Sequence, residues 1–254
     1  MSRDSLPILT YHAIDGFDSP VSTHPGRFAE TIARLVEAGF VGIDLTEWIA
    51  RGRPAVSRGF AVSFDDGLRS ILPGLEVLQR LGVPSTVFLV TDHVGRENDW
   101  PGQPSWVPRA ATLDWSEVAE LSRRGVVFGS HSRTHRRLDR AAIETVEREL
   151  RGSSDAIAAR LGTPCRLFAY PYGASTRAVR GRSRLFEAAF GTRHALASSR
   201  DDLFDLPRID ACYLRSRRVL DRLVEGRLGP WLAAREAMRS ARRAAISFAA
   251  SGLW

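Results

Sequence analysis

Apolar and polar positions along the chain alternate between two periods, one typical of buried strands and one typical of helices. Phe28, Ile32 and Leu35 recur at helical spacing, whereas the segment STVFLV at residues 85–90 is short, apolar and bounded by turn residues. The predicted strands are residues 6–12, 60–64, 85–90, 126–129, 167–170, 191–196 and 206–212. The predicted helices are residues 28–36, 72–81, 115–121 and 141–161, with a further one around Phe186.

This repeated β–α alternation predicts an α/β protein whose parallel strands are covered by helices. Seven or eight such units favour a single (β/α) barrel, complete or slightly irregular. The chain has 254 residues, a length at which such barrels fold as one domain. We therefore predict a barrel over residues 1–212, followed by a basic amphipathic helical tail over residues 213–254.

The positive charge of the chain is concentrated in this tail. All 36 basic residues are arginine, and the formal net charge is +7. Residues 213–254 carry nine arginines against three acidic residues, whereas the other 212 residues carry 27 against 26. Such a segment suits an anionic membrane surface or a phosphorylated partner. No nucleic-acid-binding motif accompanies it, so nucleic acid is not expected as a partner.

The tail also has apolar side chains at roughly helical spacing between its arginines. They are Val219, Leu220, Leu223, Val224, Leu228, Trp231 and Leu232. This pattern predicts a helix at an anionic membrane interface, broken at Gly229 and Pro230. An alternative is that the apolar face packs on the barrel. No secretory signal or membrane-spanning stretch is recognised, so we expect a cytoplasmic protein, peripheral on the inner face of the membrane if the tail binds there.

Two adjacent carboxylates follow the strand at residues 60–64. Asp65 and Asp66 stand in the run Ser-Phe-Asp-Asp-Gly, and the carboxyl ends of barrel strands face the active site. Adjacent carboxylates are costly unless a positive charge lies beside them. A divalent ion would provide that charge, with one carboxylate as ligand and the other free as a base. Taken alone, the run is also typical of an ordinary turn.

Two histidines follow the strand at residues 126–129. His131 and His135 lie four residues apart, so one helical turn starting there would direct both rings to one point. Two imidazoles and one carboxylate leave coordination positions open, as a catalytic ion requires. The alternative is a pair of core histidines.

Two further stretches are candidates for contact with a substrate. Pro171, Tyr172 and Gly173 form a turn at a strand end that could aim a backbone N–H at the site. The long loop at residues 91–111 contains Asp99, Trp100 and Trp106, and long loops are often functional lids. Tryptophan faces suit sugar rings, although the loop could equally pack its own tryptophans.

The three short motifs, in this order, resemble the polysaccharide deacetylase family (the NodB homology domain, carbohydrate esterase family 4). The resemblance covers residues 6–212. It implies that Asp65 is the general base and that Asp66, His131 and His135 hold a divalent ion, usually zinc. It also implies that the backbone N–H of Tyr172, with the metal, stabilises the oxyanion.

The chain departs from the family pattern in two places. Ala169 stands where the family usually has an arginine, and we expect Arg208 to supply the guanidinium from a late strand. The family's last motif, Leu-x-His, is absent, and His12 closes the first strand instead. This arrangement resembles the permuted, exopolysaccharide-deacetylase branch, because first and last strands are neighbours in a closed barrel. We therefore predict that His12 is the general acid, with His194 as the second candidate.

The predicted function is a metal-dependent hydrolase that removes an N-acetyl group from an amino sugar in a polysaccharide, an oligosaccharide or a lipid-linked glycan. Substrate contacts are expected from Asp99, Trp100, Pro171 and Tyr172. One alternative is a hydrolase of a non-sugar amide or cyclic imide. Another is a catalytically dead, glycan-binding barrel, for which the absence of the family arginine at Ala169 is the main argument.

Overall fold

The computed structural model describes the backbone of residues 5–251 and the side chains of residues 5–239. The strands are β1 Ser5–Leu6, β2 Ile8–Tyr11, β3 Ala13–Ile14, β4 Ser22–Thr23, β5 Val41–Gly42, β6 Gly59–Phe64, β7 Ser85–Leu89, β8 Val127–Ser130, β9 Leu167–Ala169, β10 Ala188–Phe190, β11 Ala197–Ser198 and β12 Ile209–Asp210. The α-helices are α1 Pro25–Glu37, α2 Leu45–Ala50, α3 Leu72–Arg80, α4 Trp115–Arg123, α5 Ile143–Leu161, α6 Arg177–Arg182, α7 Arg217–Val224 and α8 Leu228–Ser251.

The main sheet is parallel and curls into a barrel. Its strands run in the order β10-β9-β8-β7-β6-β2-β12, and β5 pairs with the first residues of β6. A single parallel bridge between Phe190 and Leu206 connects β10 to the segment just before β12, so the two edges of the sheet meet. The predicted irregular (β/α) barrel with C-terminal helices is therefore confirmed.

Alternation along each strand separates two apolar cores. The larger core lies between the sheet and the helices and includes Leu9, Phe64 and Phe168. The smaller core takes the opposite face of the same strands, with Ile8, Ala61, Phe88, Leu167 and Ala169 among its members. This smaller core fills the lower part of the barrel, as layered side chains do in barrels of this kind.

The helix predicted around Phe186 and the strand predicted at residues 191–196 are both wrong in position. A 3-10 turn at Ser183–Leu185 ends before Phe186, and the strand is β10, at Ala188–Phe190. Ala188 and Ala189 are completely buried, but alanine carries no β-branched signature, so the pattern concealed the strand. The strand predicted at residues 206–212 is shorter than expected, because a 3-10 helix occupies Ala211–Arg215.

The two C-terminal helices pack against the barrel. Leu220, Leu223, Leu228 and Leu232 are almost completely buried and belong to the larger core. The helices are interrupted between Val224 and Leu228 rather than at Gly229 and Pro230, since proline is tolerated in the first turn of a helix. Within the described part of the chain, no helix is both long and apolar enough to cross a bilayer.

Candidate active site

Polar side chains directly follow the carboxyl ends of three barrel strands, so they lie at the same end of the barrel. Asp65 follows β6, His12 follows β2 and His131 follows β8. The backbone N–H of Asp65 donates to the carbonyl of Tyr11 at 2.9 Å, and that of His131 donates to Leu89 at 2.8 Å. These bonds extend the sheet ladder by one residue, so the geometry of the strands positions the site.

Asp66, His131 and His135 form a compact group whose ligand atoms all lie within 4.8 Å of one another. Oδ1 of Asp66 lies 3.3 Å from Nε2 of His135 and 3.6 Å from Nε2 of His131. Nδ1 of His131 lies 2.8 Å from the carbonyl oxygen of Ala169 and donates to it. That hydrogen bond leaves the lone pair on Nε2, the arrangement usual for a metal-binding histidine.

These residues fit a divalent ion. Oδ1 of Asp66 is buried and accepts no hydrogen bond from the described residues, although two imidazole nitrogens face it. An unsatisfied buried carboxylate oxygen is costly, and an ion between these three groups would satisfy it. Two nitrogen ligands and one oxygen ligand match zinc in sites that keep a position open for substrate.

The protonation states also suit a metal. Burial raises the pKa of Asp66, but His135, His12 and His131 outweigh it, so its pKa lies below the ordinary value. Burial lowers the pKa of His131 to about 4. At neutral pH the carboxylate is therefore charged and the His131 ring is neutral, as metal ligation requires.

The segment that carries the two histidines is a strained loop, and the predicted helical turn is wrong. Ser132 and His135 have positive φ angles of 66° and 56°, which no right-handed helix contains. Asp66 and Tyr172 share this property, with φ of 70° and 60°. Backbone strain of this kind persists only where the surrounding contacts enforce it, and it is concentrated at functional sites.

A buried glutamate on α5 enforces the conformation of that loop. Oε2 of Glu149 accepts hydrogen bonds from the backbone N–H groups of Arg133 and Thr134, both at 2.9 Å, and Oε1 accepts from the Thr134 hydroxyl at 2.8 Å. The Arg133 side chain binds both oxygens of Asp92 at 3.1 and 2.9 Å. Sequence reasoning missed Glu149, although an acidic residue within the buried stripe of a helix was the available signal.

Arg208 is paired with Asp65 inside the barrel. Its Nη1 and Nη2 donate to Oδ1 and Oδ2 of Asp65 at 2.7 and 2.8 Å, and its Nε donates to the carbonyl of Gly191 at 3.1 Å. The two side chains are 1% and 4% exposed. Burial raises the pKa of Asp65, but Arg208 and the nearby histidines outweigh it, so the pKa lies below its usual value. The guanidinium beside Asp65 therefore comes from the segment just before β12. The expected family position, Ala169, is buried and carries no charge.

The two histidines considered as general acid lie in different surroundings. His12 is half-buried and close enough to Asp65 and Asp66 to lower the pKa of both carboxyl groups. His194 is buried beneath α8, where its ring packs edge-on to Tyr213 at 4.6 Å. Of the two, the structure brings His12 to the carboxylates.

The candidate substrate contacts separate into buried and exposed groups. Trp100 is 1% exposed, and its ring lies 4.5 Å from that of His135, so it packs against His135 rather than offering a face to a sugar. Asp99 lies 3.3 Å from Nδ1 of His93, and Pro171 is buried. Tyr172 is 38% exposed, with its ring 4.7 Å from His135, so it borders both the site and solvent.

Fold and site together define an α/β barrel that is suited to hold a divalent ion beside a buried, arginine-paired carboxylate. The sequence model of the polysaccharide deacetylase family matches residues 53–190, and the chain belongs to this family. The resemblance recognised in the motifs is confirmed.

Solved structures of deacetylases share the fold. IcaB from Ammonifex degensii is 21% identical, with a TM-score of 0.74 over 89% of this chain and 98% of that one. The Streptococcus pyogenes deacetylase PplD is 21% identical, with a TM-score of 0.71 over 81% of this chain and 92% of that one. A Bacillus cereus polysaccharide deacetylase is 22% identical, with a TM-score of 0.68 over 81% of this chain but only 64% of its own length. No curated protein sequence matches the chain.

Proposed function

We propose that the protein is a metal-dependent hydrolase that removes an N-acetyl group from an amino sugar in a glycan. The observation that carries this proposal is the Asp66–His131–His135 group beside the Asp65–Arg208 pair. It supplies ligands for an ion and a fixed carboxylate within one buried cluster. Membership of the polysaccharide deacetylase family supports the same chemistry.

A bound divalent ion, most readily zinc, would polarise the acyl carbonyl and lower the pKa of a water molecule. Asp65 accepts the proton from the attacking water, and Arg208 fixes the direction of both its oxygens. The backbone N–H of Tyr172 donates to the oxyanion that develops, an interaction worth about 2.7–4 kcal/mol when well placed. The carbon–nitrogen bond then breaks, and the products are acetate and a free amine.

His12 is proposed to protonate the departing amine, because an amide anion is a very poor leaving group. General acid help of this kind contributes about 10²–10⁴ in rate. His12→Ala should therefore impair amide hydrolysis strongly but spare an activated aryl acetate, whose phenolate leaves without a proton. Equal losses on both substrates would remove His12 from this role and favour His194.

The decisive test combines acetate release with metal content. The purified protein should release acetate from N-acetylated saccharides, lose that activity with a chelator, and regain it with zinc or cobalt. Full activity in verified metal-free protein would refute the mechanism. Glycan binding without acetate release would favour the dead barrel, and release from cyclic imides alone would favour the non-sugar alternative. The Arg208 guanidinium weakens the case for a dead barrel, since it provides a positive charge beside Asp65 although Ala169 stands where the family usually has an arginine.

Association with an anionic membrane on the cytoplasmic side remains a separate proposal. The arginines of the tail support it, at about 1 kcal/mol for each one near an anionic surface. The apolar residues that would enter the interface instead pack in the core, with Leu223 and Leu228 completely buried. Flotation with anionic vesicles is the test, comparing the full chain with a variant in which Arg218, Arg222 and Arg227 are changed to glutamine. Equal flotation of both, or of neither, would exclude those arginines as the anchor.

A further inference from the structure

The two histidines of the candidate metal group differ in what holds their rings. Nδ1 of His131 donates a hydrogen bond to the carbonyl oxygen of Ala169 at 2.8 Å. Nδ1 of His135 is buried and has no hydrogen-bond partner among the residues that the structure describes. A metal-binding histidine usually donates its second ring N–H to an oxygen atom, which fixes the direction of the ring. The orientation of the His135 ring therefore depends on other contacts.

Aromatic rings provide those contacts. The Trp100 ring lies 4.5 Å from that of His135 at an angle of 36°, and the Tyr172 ring lies 4.7 Å away at 60°. Trp100 is 1% exposed, whereas Tyr172 is 38% exposed. The second side-chain torsion of histidine has broad energy wells, so packing against a buried ring restricts the rotation of the imidazole. Trp100 is the buried partner that belongs neither to the proposed metal group nor to the proposed oxyanion group.

The loop that carries Trp100 is joined to both chain segments of the metal group. Near its start, the backbone N–H of Thr91 donates to the carbonyl of Ser132 at 3.2 Å. Just after its end, the backbone N–H of Leu113 donates to the carbonyl of Gly67 at 2.9 Å. Ser132 and Gly67 each follow a residue of the metal group directly in the chain. The loop therefore connects the histidine segment to the carboxylate turn, and Trp100 lies between the two connections.

Hydrogen bonds and ring packing within the loop hold the indole in place. The Asn98 side chain is 1% exposed. It donates to the carbonyl of Pro108 at 3.0 Å and accepts from the backbone N–H of Ala110 at 2.7 Å, so it ties the two arms of the loop together. The ring of His93 lies 5.3 Å from the Trp100 ring, almost perpendicular to it. The indole is thus fixed by its own loop before any ion binds.

We infer that Trp100 is a positioning residue for the proposed metal site, where its indole fixes the His135 ring in the way that a hydrogen bond fixes the His131 ring. This inference rests on the proposed metal-dependent function and concerns the affinity of the site for its ion. An imidazole that is already restrained loses less conformational freedom when it binds a cation. Trp100 acts through His135, so its loss should be measured as weaker metal binding.

The test compares Trp100→Leu and Trp100→Phe with wild-type protein. Leucine fills part of the space with apolar atoms but has no ring plane, whereas phenylalanine keeps one. The zinc dissociation constant, measured by competition with a chromogenic chelator, should rise about tenfold in Trp100→Leu, equivalent to about 1.4 kcal/mol. Trp100→Phe should restore most of the affinity. In cobalt-loaded protein, the visible absorption bands of Trp100→Leu should differ from those of wild-type protein, because one ligand is less well oriented, and those of Trp100→Phe should not.

Trp48→Leu is the matched control. Trp48 is also buried, at 4% exposure, but it lies on α2 and packs in the smaller core. Its replacement should lower the free energy of unfolding and leave the zinc affinity unchanged. If Trp100→Leu does not fold, Trp100→Met serves as the second variant without a ring, with the same expected loss of affinity.

Wild-type zinc affinity in a folded variant without a ring at position 100 would overturn the inference. Equal losses in Trp100→Leu and Trp100→Phe, or in Trp100→Leu and Trp48→Leu, would also overturn it, because the ring at position 100 would then not be the cause. These measurements do not depend on acetate release. Wild-type protein that bound zinc without releasing acetate would count against the proposed function alone, whereas wild-type protein that bound no zinc would refute both.

Discussion

Asp65 and Asp66 are neighbours in the chain, yet their carboxylates have different partners. Asp65 has a protein partner for both of its oxygens in Arg208, at 2.7 and 2.8 Å. Asp66 faces two imidazole nitrogens, and its buried Oδ1 accepts no hydrogen bond from any residue that the structure describes. Asp65 and Arg208 form the base half of the proposed site, in which both carboxylate oxygens have a partner. Asp66, His131 and His135 form its metal half, in which the described residues offer Oδ1 of Asp66 no hydrogen-bond donor.

The difference shows how one turn can give two carboxylates separate tasks. Alternation directs Asp65 into the barrel, where the Arg208 guanidinium lies in the interior. The positive φ of Asp66, 70°, turns the next side chain towards the histidine loop instead. A carboxylate fixed by a bidentate arginine is well oriented, while one that faces two imidazole nitrogens is suited to ligate a cation together with them.

The largest expected effect is the loss of metal or of activity when either carboxylate is replaced, and it distinguishes the roles of Asp65 and Asp66. Asp66→Ala should remove the bound metal and abolish activity, because one of three ligands is lost. Asp65→Asn should keep the metal while kcat falls by about 10²–10⁴, the usual contribution of a general base. Metal analysis and acetate release on the same preparations measure both. Metal loss in Asp65→Asn with retention in Asp66→Ala would show that the two roles are reversed.

The next largest effect is a loss of folding stability when Asp65 loses its arginine partner. Arg208→Met should lower the free energy of unfolding by about 3–5 kcal/mol, because it leaves the Asp65 charge buried and unpaired. The pKa of Asp65 is depressed in the folded state, so this contribution is complete above the unfolded value of about 3.9 and is lost as pH falls through the folded value.

Arg166→Met is the control for that experiment. Arg166 pairs with Glu187 at 2.6 Å on the surface, where both side chains are more than a third exposed. Exposed pairs contribute about 0–1 kcal/mol, so this variant should unfold nearly as wild-type protein does. Denaturant titrations at neutral pH compare the two, and equal costs would mean that Arg208 does not stabilise Asp65 as the contacts indicate.

The smallest effect on stability and metal affinity is expected for Glu149, which holds the loop between His131 and His135. Glu149→Ala removes the acceptor of two backbone N–H groups and one hydroxyl, and the stability loss should be about 1–3 kcal/mol. The metal affinity should also fall, by no more than the roughly 10–100-fold loss typical of a group bonded directly to a ligand, because Glu149 holds the loop between His131 and His135 and not a histidine itself. Glu147→Ala, on the exposed face of the same helix, should change neither. Unchanged zinc affinity in Glu149→Ala would contradict the positioning role.

Sequence reasoning located the residues of the candidate metal group better than it described their backbone. Asp66, His131 and His135 were identified because they follow strand ends in a predicted barrel, where side chains converge. The conformation of residues 131–135 could not be predicted in the same way. Ser132 and His135 have a left-handed geometry that local propensity disfavours. The two residues between them, Arg133 and Thr134, donate backbone hydrogen bonds to Glu149 on a distant helix.

By itself, the sequence determined the alternation of strands and helices, the family and the residues that can bind an ion, since these depend on periodicity and on residue type at strand ends. The tertiary structure decided which guanidinium pairs with Asp65, because Arg208 is 143 residues away and reaches it only when the last segment closes the barrel beside β2. It likewise decided that Leu223 and Leu228 of the tail lie in the core. An amphipathic pattern indicates that the apolar face of a helix must be covered, and only the packed chain determines what covers it.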